Sequence, residues 1–367
     1  MQGKILEIQK LEEQEAILSK LKRKKILITI VLAVIIVVVL FAFLFFSTSP
    51  KGKTISIINN SIIPSPTPLP FREITIPYLR ERSYVSKLGE LNKYYENQSY
   101  TAYLTSYSSD GLIINGLLTI PKGSKEKYPA IVFVHGYIPP PQYQTTERYT
   151  DYVDYLARNG FVVFKIDLRG HGNSEGEPSG AYYSSDYVID TLNAYAALQS
   201  ASFVDPHKIG LWGHSMAGNV VMRSFASKPV IPAVVIWAGA VYSYTDFTKY
   251  RISDQSYQPP SMTSERIRKR QQLINTYGEP SSTSAFWRLV APTNYLQDIK
   301  GAVEINHALN DEVVNVGYSR DLMALLDKTS IPHEFYTYPS GGHNISGVSF
   351  NEAMAHTVDF FKKYLGN

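Results

Sequence analysis

The stretch DPHKIGLWGHSMAGN, residues 205–219, decides the interpretation of this sequence. A short apolar run ends just before Gly213, and a segment with helical periodicity begins at Met216. Ser215 therefore lies on a predicted sharp turn from a strand into a helix, between small residues. Such a turn strains the backbone, needs small neighbours, and exposes the serine hydroxyl at the carboxyl end of a sheet. The pattern predicts a nucleophilic serine, with Ala217 where the strict pattern has glycine.

A serine nucleophile needs a base, and the base needs an acid that orients it. In sheets of this kind the acid and then the histidine follow the serine along the chain. HALNDEVVN, residues 307–315, follows an apolar run and places Asp311 at the end of a predicted strand. GGHN, residues 341–344, follows the run EFYTY and places His343 in a loop flanked by glycine. We therefore predict a catalytic triad of Ser215, Asp311 and His343.

Other histidines and acids fit these roles less well, because they lack the right order or the strand-end context. The rivals for the base and the acid are His135, His171, His214, His307, Asp298 and Glu312. An oxyanion hole requires two donors. We expect one to be the backbone N–H of Met216, and the other to be the backbone N–H or the phenol of Tyr137, which follows an early strand.

Short apolar runs alternate with longer segments of helical periodicity over most of the chain. The predicted strands are 130–134, 161–166, 209–212, 233–237, 303–306 and 334–338, after a strand pair that begins near residue 110. The predicted helices between them are 147–159, 183–200, 216–227, 316–329 and 351–365. This alternation predicts the α/β class, with a mostly parallel central sheet and helices on both faces.

Residues 242–300 interrupt this alternation and predict a helical cap insertion over one end of the sheet. Its aromatic side chains either line a substrate pocket or form the core of the insertion, and the sequence leaves both possibilities open. They are Tyr242, Tyr244, Phe247, Phe286 and Trp287. The basic run 266–270 is interpreted as a solvated helix face.

Residues 26–46 contain no charged residue, glycine or proline, and this length can cross a bilayer as one helix. The run exceeds an ordinary signal-peptide core, which favours a retained anchor over a cleaved signal. Basic residues just before the span predict a cytoplasmic segment 1–25 and an extracytoplasmic remainder. Residues 47–70, rich in Ser and Pro, predict a linker to a globular domain over 71–367.

Composition excludes several kinds of partner and site. The chain has 367 residues and a formal net charge of +4, and its first 50 residues hold seven Lys or Arg against four Glu. The remainder is nearly neutral and has no long basic stripe, which argues against a nucleic-acid partner. The chain contains no cysteine, so disulfides, thiolate nucleophiles and cysteine metal sites are excluded.

These motifs resemble the α/β-hydrolase superfamily and, more narrowly, the catalytic domain of the prolyl oligopeptidase family of serine peptidases. The stretches that carry the resemblance are VFVHGY, DLRGHGNSEGEP, DPHKIGLWGHSMAGN, HALNDEVVN and YPSGGHN, within residues 110–366. The resemblance implies an α/β-hydrolase fold and a serine hydrolase that cleaves amide bonds without a metal or an organic cofactor. Its expected substrate is a small peptide or ester.

Two features differ from the family. His307-Ala308 replaces the usual His-Gly, and Asn315 replaces a common proline. The segment between the linker and the domain is too short for the β-propeller that many of these peptidases carry. A carboxylesterase of the same fold and a non-catalytic binding module on a hydrolase scaffold remain alternatives.

Overall fold

A computed structural model describes residues 69–250 and 264–366 of the chain. The predicted segment 1–25, the predicted membrane helix 26–46 and all but the last two residues of the predicted linker 47–70 lie outside these ranges. Within the ranges, no helix is both long enough and apolar enough to span a membrane.

The described residues from the end of the linker onward belong to one compact unit. Its strands are β1 (Asn92–Glu96), β2 (Tyr100–Ser109), β3 (Leu112–Pro121), β4 (Tyr128–Val134), β5 (Val162–Ile166), β6 (Val204–His214), β7 (Ala233–Trp237), β8 (Ala302–Ala308) and β9 (His333–Tyr338). Its α-helices are α1 (Ile76–Glu81), α2 (Thr150–Arg158), α3 (Asp186–Gln199), α4 (Met216–Ser227), α5 (Thr245–Tyr250), α6 (Ser264–Tyr277), α7 (Ala285–Val290), α8 (Gly317–Leu326) and α9 (Val348–Leu365).

These strands form a single nine-stranded sheet in the order β1-β2-β3-β5-β4-β6-β7-β8-β9. The first three strands pair antiparallel, and β3 also runs antiparallel to β5. From β5 to β9 every neighbouring pair is parallel. The prediction of a mostly parallel sheet is confirmed, and the parallel order brings the carboxyl ends of β4, β6, β8 and β9 to one edge.

Helices cover both faces of the sheet, as predicted. Adjacent residues of β4 point to opposite faces, so Val132 belongs to one core cluster and Ile131 to the other. The first cluster is closed by α3 and α4, with Val221 among its members, and the second by α2 and α9, with Phe361 among its members. Burial on both faces explains why these strands are largely apolar. The exception in β5 is Lys165, which is buried and donates to the Thr145 and Arg148 carbonyls.

The segment between β7 and β8 contains α5, α6 and α7. It has an apolar cluster of its own, in which Trp287 is fully buried and Phe286 is nearly so. That cluster also includes Ile74 and Tyr318, so it joins the helical segment to the residues before α1 and to α8.

Two elements of the structure are absent from the sequence-based prediction. All five residues of β1 are exposed, so the strand has no alternation of apolar and polar residues to reveal it. Helix α1 has only six residues, too few to show a helical period, although Thr75 caps it through its side-chain oxygen and a proline occupies its first turn.

Candidate active site

Ser215 occupies a strained turn between β6 and α4. Its backbone dihedrals are φ 56° and ψ −119°, a conformation that residues with a side chain rarely adopt. The Ser215 N–H donates to the Trp237 carbonyl at 2.9 Å, which ties the turn to the end of β7. The turn directs the hydroxyl toward the cavity described below, whose wall Ser215 forms with Met216.

The small residues around Ser215 are required by close backbone contacts. A Cβ atom on Gly213 would lie 2.7 Å from the Ala217 carbonyl oxygen, and one on Gly218 would lie 2.7 Å from the Gly239 Cα. Ala217 itself is fully buried, so its methyl group fits where the strict sequence pattern has glycine. Substituting either glycine would force the strained turn apart.

Asp311 and His343 are brought together at the same sheet edge. Asp311 follows β8, and His343 lies in a 3-10 turn, Gly342–Asn344, after β9. The His343 Nδ1–H donates to Asp311 Oδ2 at 2.8 Å. The Asp311 side chain is fully buried and that of His343 is 18% exposed, so the imidazole is the member of the pair that solvent can reach.

Asp311 is held as a carboxylate by three further donors. The backbone N–H groups of Val313 and Val314 donate to Oδ1 at 2.8 and 2.9 Å. The Nε2 of His307 lies 3.1 Å from Oδ2. Burial alone would favour the neutral acid, but the hydrogen bonds from His307 and His343 prevail and hold the pKa of Asp311 well below its ordinary value. A charged Asp311 fixes the proton of His343 on Nδ1 and leaves Nε2 as the base.

The imidazole of His343 packs beside the residue that precedes the serine. The ring centroids of His343 and His214 are 4.6 Å apart. Among the described residues, no hydrogen bond joins the Ser215 hydroxyl to His343. Catalytic hydrogen bonds often form only when substrate is bound, so this geometry is compatible with a serine–histidine pair.

His214 links the two loops on either side of the serine, a role that the sequence analysis did not assign. Its Nε2–H donates to the His343 carbonyl at 2.9 Å. Its Nδ1 lies 2.8 Å from the hydroxyl of Tyr149, and that hydroxyl accepts the Gly136 N–H at 3.0 Å. One imidazole therefore connects the loop of His343 with the loop that carries the predicted oxyanion donor Tyr137.

The protonation of this network follows from its partners. A carbonyl oxygen can only accept, so His214 Nε2 must carry a proton. Burial, with a contribution from nearby His343, lowers the pKa of His214 to about 3, so the ring is neutral near pH 7. Its Nδ1 is then an acceptor, and the Tyr149 O–H donates to it. The partners therefore allow one placement of the protons in the hydrogen bonds from the His343 carbonyl through His214 to Tyr149.

The two predicted oxyanion donors border the same cavity as Ser215. Met216 is the first residue of α4, where N–H groups have no partner within the helix. Tyr137 lies in the loop after β4 and lines the cavity with Ser215 and Met216. Both residues therefore lie near Ser215, where an oxyanion hole would need its donors, and their role as donors stays a prediction.

A cavity of about 680 Å³ opens beside Ser215. Tyr242 and Phe247 line it, with their rings stacked 3.8 Å apart. Phe286 and Trp287 instead belong to the core of the helical segment, together with Tyr244. Tyr242 belongs to both sets, because it is almost fully buried in that core cluster and also lines the cavity. Of the two possibilities that the sequence left open, both therefore hold: the aromatic side chains form the core of the insertion, and part of that core borders the cavity.

The rival residues have other contacts. His135 is buried against the Asp167 carbonyl, and burial lowers its pKa to about 3. Asp298 forms an ion pair with Arg80 at 2.6 Å, so its carboxylate is engaged outside the Asp311–His343 pair. Within residues 69–250 and 264–366, no group of three or more His, Asp or Glu side chains is arranged to hold a metal ion.

The sequence is similar to a known protein family and to curated proteins. Residues 125–276 match the family described as serine aminopeptidase, S33. A polyketide transferase from Penicillium crustosum is 29% identical over 143 residues, which are 39% of this chain and 45% of that protein. The chain spans less than half the length of the curated relatives that it matches.

Solved structures share the fold at low sequence identity. Acetyl xylan esterase 1 from Thermoanaerobacterium sp. superposes with a TM-score of 0.56 at 20% identity, covering 80% of this chain and 91% of the esterase. Porphyromonas gingivalis dipeptidyl peptidase 4 gives 0.56 at 20% identity, covering 73% of this chain and 36% of the peptidase. The matched family, the parallel sheet and the serine turn agree: the chain has the α/β-hydrolase fold and is similar in sequence to serine hydrolases.

Proposed function

We propose that the chain is a membrane-anchored serine hydrolase that cleaves peptide (amide) bonds through an acyl-enzyme, in the manner of the prolyl oligopeptidase family. Ser215 is the nucleophile, His343 the base, and Asp311 the acid that orients the base. The observation that carries the proposal is the hydrogen bond of 2.8 Å between buried Asp311 and His343, beside a serine with φ 56°.

In the first half of the reaction the Ser215 oxygen attacks the carbonyl carbon of the substrate, and its proton passes to His343 Nε2. The carbonyl oxygen becomes negatively charged and accepts hydrogen bonds from the Met216 N–H and from Tyr137. The intermediate then collapses, the C–N bond breaks, and His343 returns the proton to the departing amine. Asp311 stabilises the imidazolium while it exists.

In the second half a water molecule replaces the amine. His343 takes a proton from the water as its oxygen attacks the acyl-enzyme. The bond to the Ser215 oxygen breaks, that oxygen regains the proton, and a carboxylic acid leaves. The amine leaves with the proton that Ser215 gave up, and Ser215 regains one from the water, so the residues named here return to their starting state with water as the co-reactant.

A carboxylesterase is the alternative, because esters react through the same triad. The stretch DPHKIGLWGHS and the likeness to a dipeptidyl peptidase support a peptidase. The likeness to an acetyl xylan esterase supports an esterase. Rates on peptidyl p-nitroanilides and on short p-nitrophenyl esters distinguish the two, with Ser215→Ala as the control for contaminating activity. Ester turnover without amide cleavage would overturn the peptidase assignment.

The membrane anchor is proposed from residues 26–46, whose uncharged apolar sequence has the length of a spanning helix. The positive residues before it support a cytoplasmic N-terminus and an extracytoplasmic catalytic domain. Extraction of cell membranes with alkaline carbonate tests the anchor. A chain that remains in the pellet supports it, and quantitative release into the supernatant would contradict it. Protease added to intact cells should degrade the domain if the orientation is right.

A non-catalytic binding module is the remaining alternative. Such a module on a hydrolase scaffold would not need an assembled acid and base, whereas here Asp311 binds His343 through a buried hydrogen bond. This contact favours an enzyme. Absence of turnover on every amide and ester tested, in a folded chain, would favour the module.

A further inference from the structure

The inner face of helix α6 is basic where it borders the cavity. Arg266, Lys269, Arg270 and Leu273 recur at helical spacing and all line the cavity that contains Ser215. One acid, Glu265 in the first turn, also lines it, so three cations face one carboxylate on this helix. Leu273 is buried, whereas the three preceding positions present cationic groups rather than apolar side chains. Arg268 faces away and is exposed, so only part of the basic run is a solvated helix face.

Two of these three cations are engaged by acidic neighbours. The guanidinium of Arg266 donates to the Glu177 carbonyl at 2.6 Å and lies 3.7 Å from the Asp186 carboxylate. The ammonium of Lys269 lies 3.8 Å from Glu73. Their charges are therefore largely compensated within the protein.

Arg270 is different. Its guanidinium carbon lies 4.0 Å from the centroid of the Tyr183 ring, a stacked position that keeps the side chain in one orientation. Within the described residues, Arg270 forms no ion pair and donates no hydrogen bond. Both Arg270 and Tyr183 line the cavity, so a fork of N–H donors is held at its wall without an acceptor.

We infer that Arg270 binds a carboxylate of the substrate, so that the site takes amides or esters with one negative charge in the portion held by the cavity. The planar guanidinium matches a carboxylate through two parallel hydrogen bonds. This inference rests on the proposed hydrolase function.

The test compares substrates that differ only in charge. The first set is acetylated dipeptide p-nitroanilides in which one position is Ala and the other is either Glu or Gln. The second set is peptides of one sequence that end in either a free carboxylic acid or an amide. A pair of p-nitrophenyl esters, of glutaric acid and of its monomethyl ester, extends the test to an esterase. The full-length chain in mild detergent is compared with Arg270→Gln, Arg270→Lys and Arg268→Gln. The last is the matched control, because Arg268 lies on the exposed face of the same helix.

We expect kcat/KM to favour the anionic member of at least one pair about tenfold, the size of one charge-assisted hydrogen bond. Arg270→Gln should abolish this preference, Arg270→Lys should retain part of it, and Arg268→Gln should keep it. Equal kcat/KM values for the charged and the neutral substrate of every pair, in an active enzyme, would overturn the inference. A preference for the charged substrate that remains in Arg270→Gln would also overturn it. Labelling by a fluorophosphonate distinguishes failure of the proposed function from failure of the inference about Arg270. If the parent chain is not labelled, the proposed hydrolase function is overturned, and this inference with it.

Discussion

Replacing Tyr149 with Phe removes one hydroxyl and should disconnect the two loops beside the serine. That hydroxyl accepts the Gly136 N–H at 3.0 Å and donates to His214 Nδ1 at 2.8 Å, and His214 in turn holds the His343 carbonyl. The ring of Tyr149 packs against Phe133 with centroids 5.5 Å apart, and Phe would preserve this contact. The substitution is therefore confined to the hydrogen bonds.

The magnitude follows from the groups left behind. Loss of the hydroxyl leaves the N–H of Gly136 and the Nδ1 of buried His214 without a hydrogen-bond partner. Each buried donor or acceptor without a partner costs about 1–3 kcal/mol, so loss of two partners should lower the free energy of unfolding by about 2–6 kcal/mol. Displacement of the His343 and Tyr137 loops by fractions of an ångström should lower kcat about 10- to 100-fold. KM should change less than kcat, because the displaced loops contribute Tyr137 to the cavity wall while Tyr242 and Phe247 stay in place.

The assay measures kcat and KM for the full-length chain and for two variants, together with urea unfolding. Tyr155→Phe is the matched control, because Tyr155 lies in the helix that follows Tyr149 and its hydroxyl has no hydrogen bond among the described residues. A Tyr149→Phe enzyme that loses stability but keeps the parental kcat would refute the positioning role. Equal losses in both variants would also refute it.

Two further predictions concern buried acids. Asp311→Asn should lower kcat by about 10³- to 10⁴-fold, because an amide cannot hold the His343 imidazole in the tautomer with a free Nε2. Steady-state kinetics on the folded variant test this, and a loss of less than tenfold would contradict the triad. Burial raises the pKa of Glu304 from its ordinary 4.5 to about 8. The folded chain therefore binds more protons than the unfolded chain between these values, and this contribution to stability declines as pH rises from about 5 to 8. Urea unfolding of Glu304→Gln should show a weaker decline over that range than the parent, and identical slopes would contradict the assignment.

The sheet could be predicted because its parallel strands are buried on both faces. All seven residues of β4 and all five of β5 are buried, so both sequences are mostly apolar, with Lys165 as the charged exception in β5. Strand β1 escaped prediction for the opposite reason, since none of its residues contributes to a core. Local pattern reveals an element only where burial constrains its composition.

The predicted site residues lie where strand order implies, at the carboxyl ends of β6, β8 and β9. The Asp311–His343 contact is present, and the partnership of His343 with Ser215 stays a prediction. The link through His214 and Tyr149 was beyond prediction, because 65 positions separate the two residues and only the folded sheet brings them together. The orientation of Arg270 likewise depends on how α6 packs over the cavity.

The central claim is that Ser215 is an activated nucleophile. The most direct measurement is labelling of the full-length chain with a fluorophosphonate probe, in parallel with its Ser215→Ala variant, followed by identification of the modified residue by mass spectrometry. The account predicts that the parent is labelled at Ser215 and that the variant is not labelled. A folded parent chain that resists the probe, or a variant labelled as readily as the parent, would contradict it.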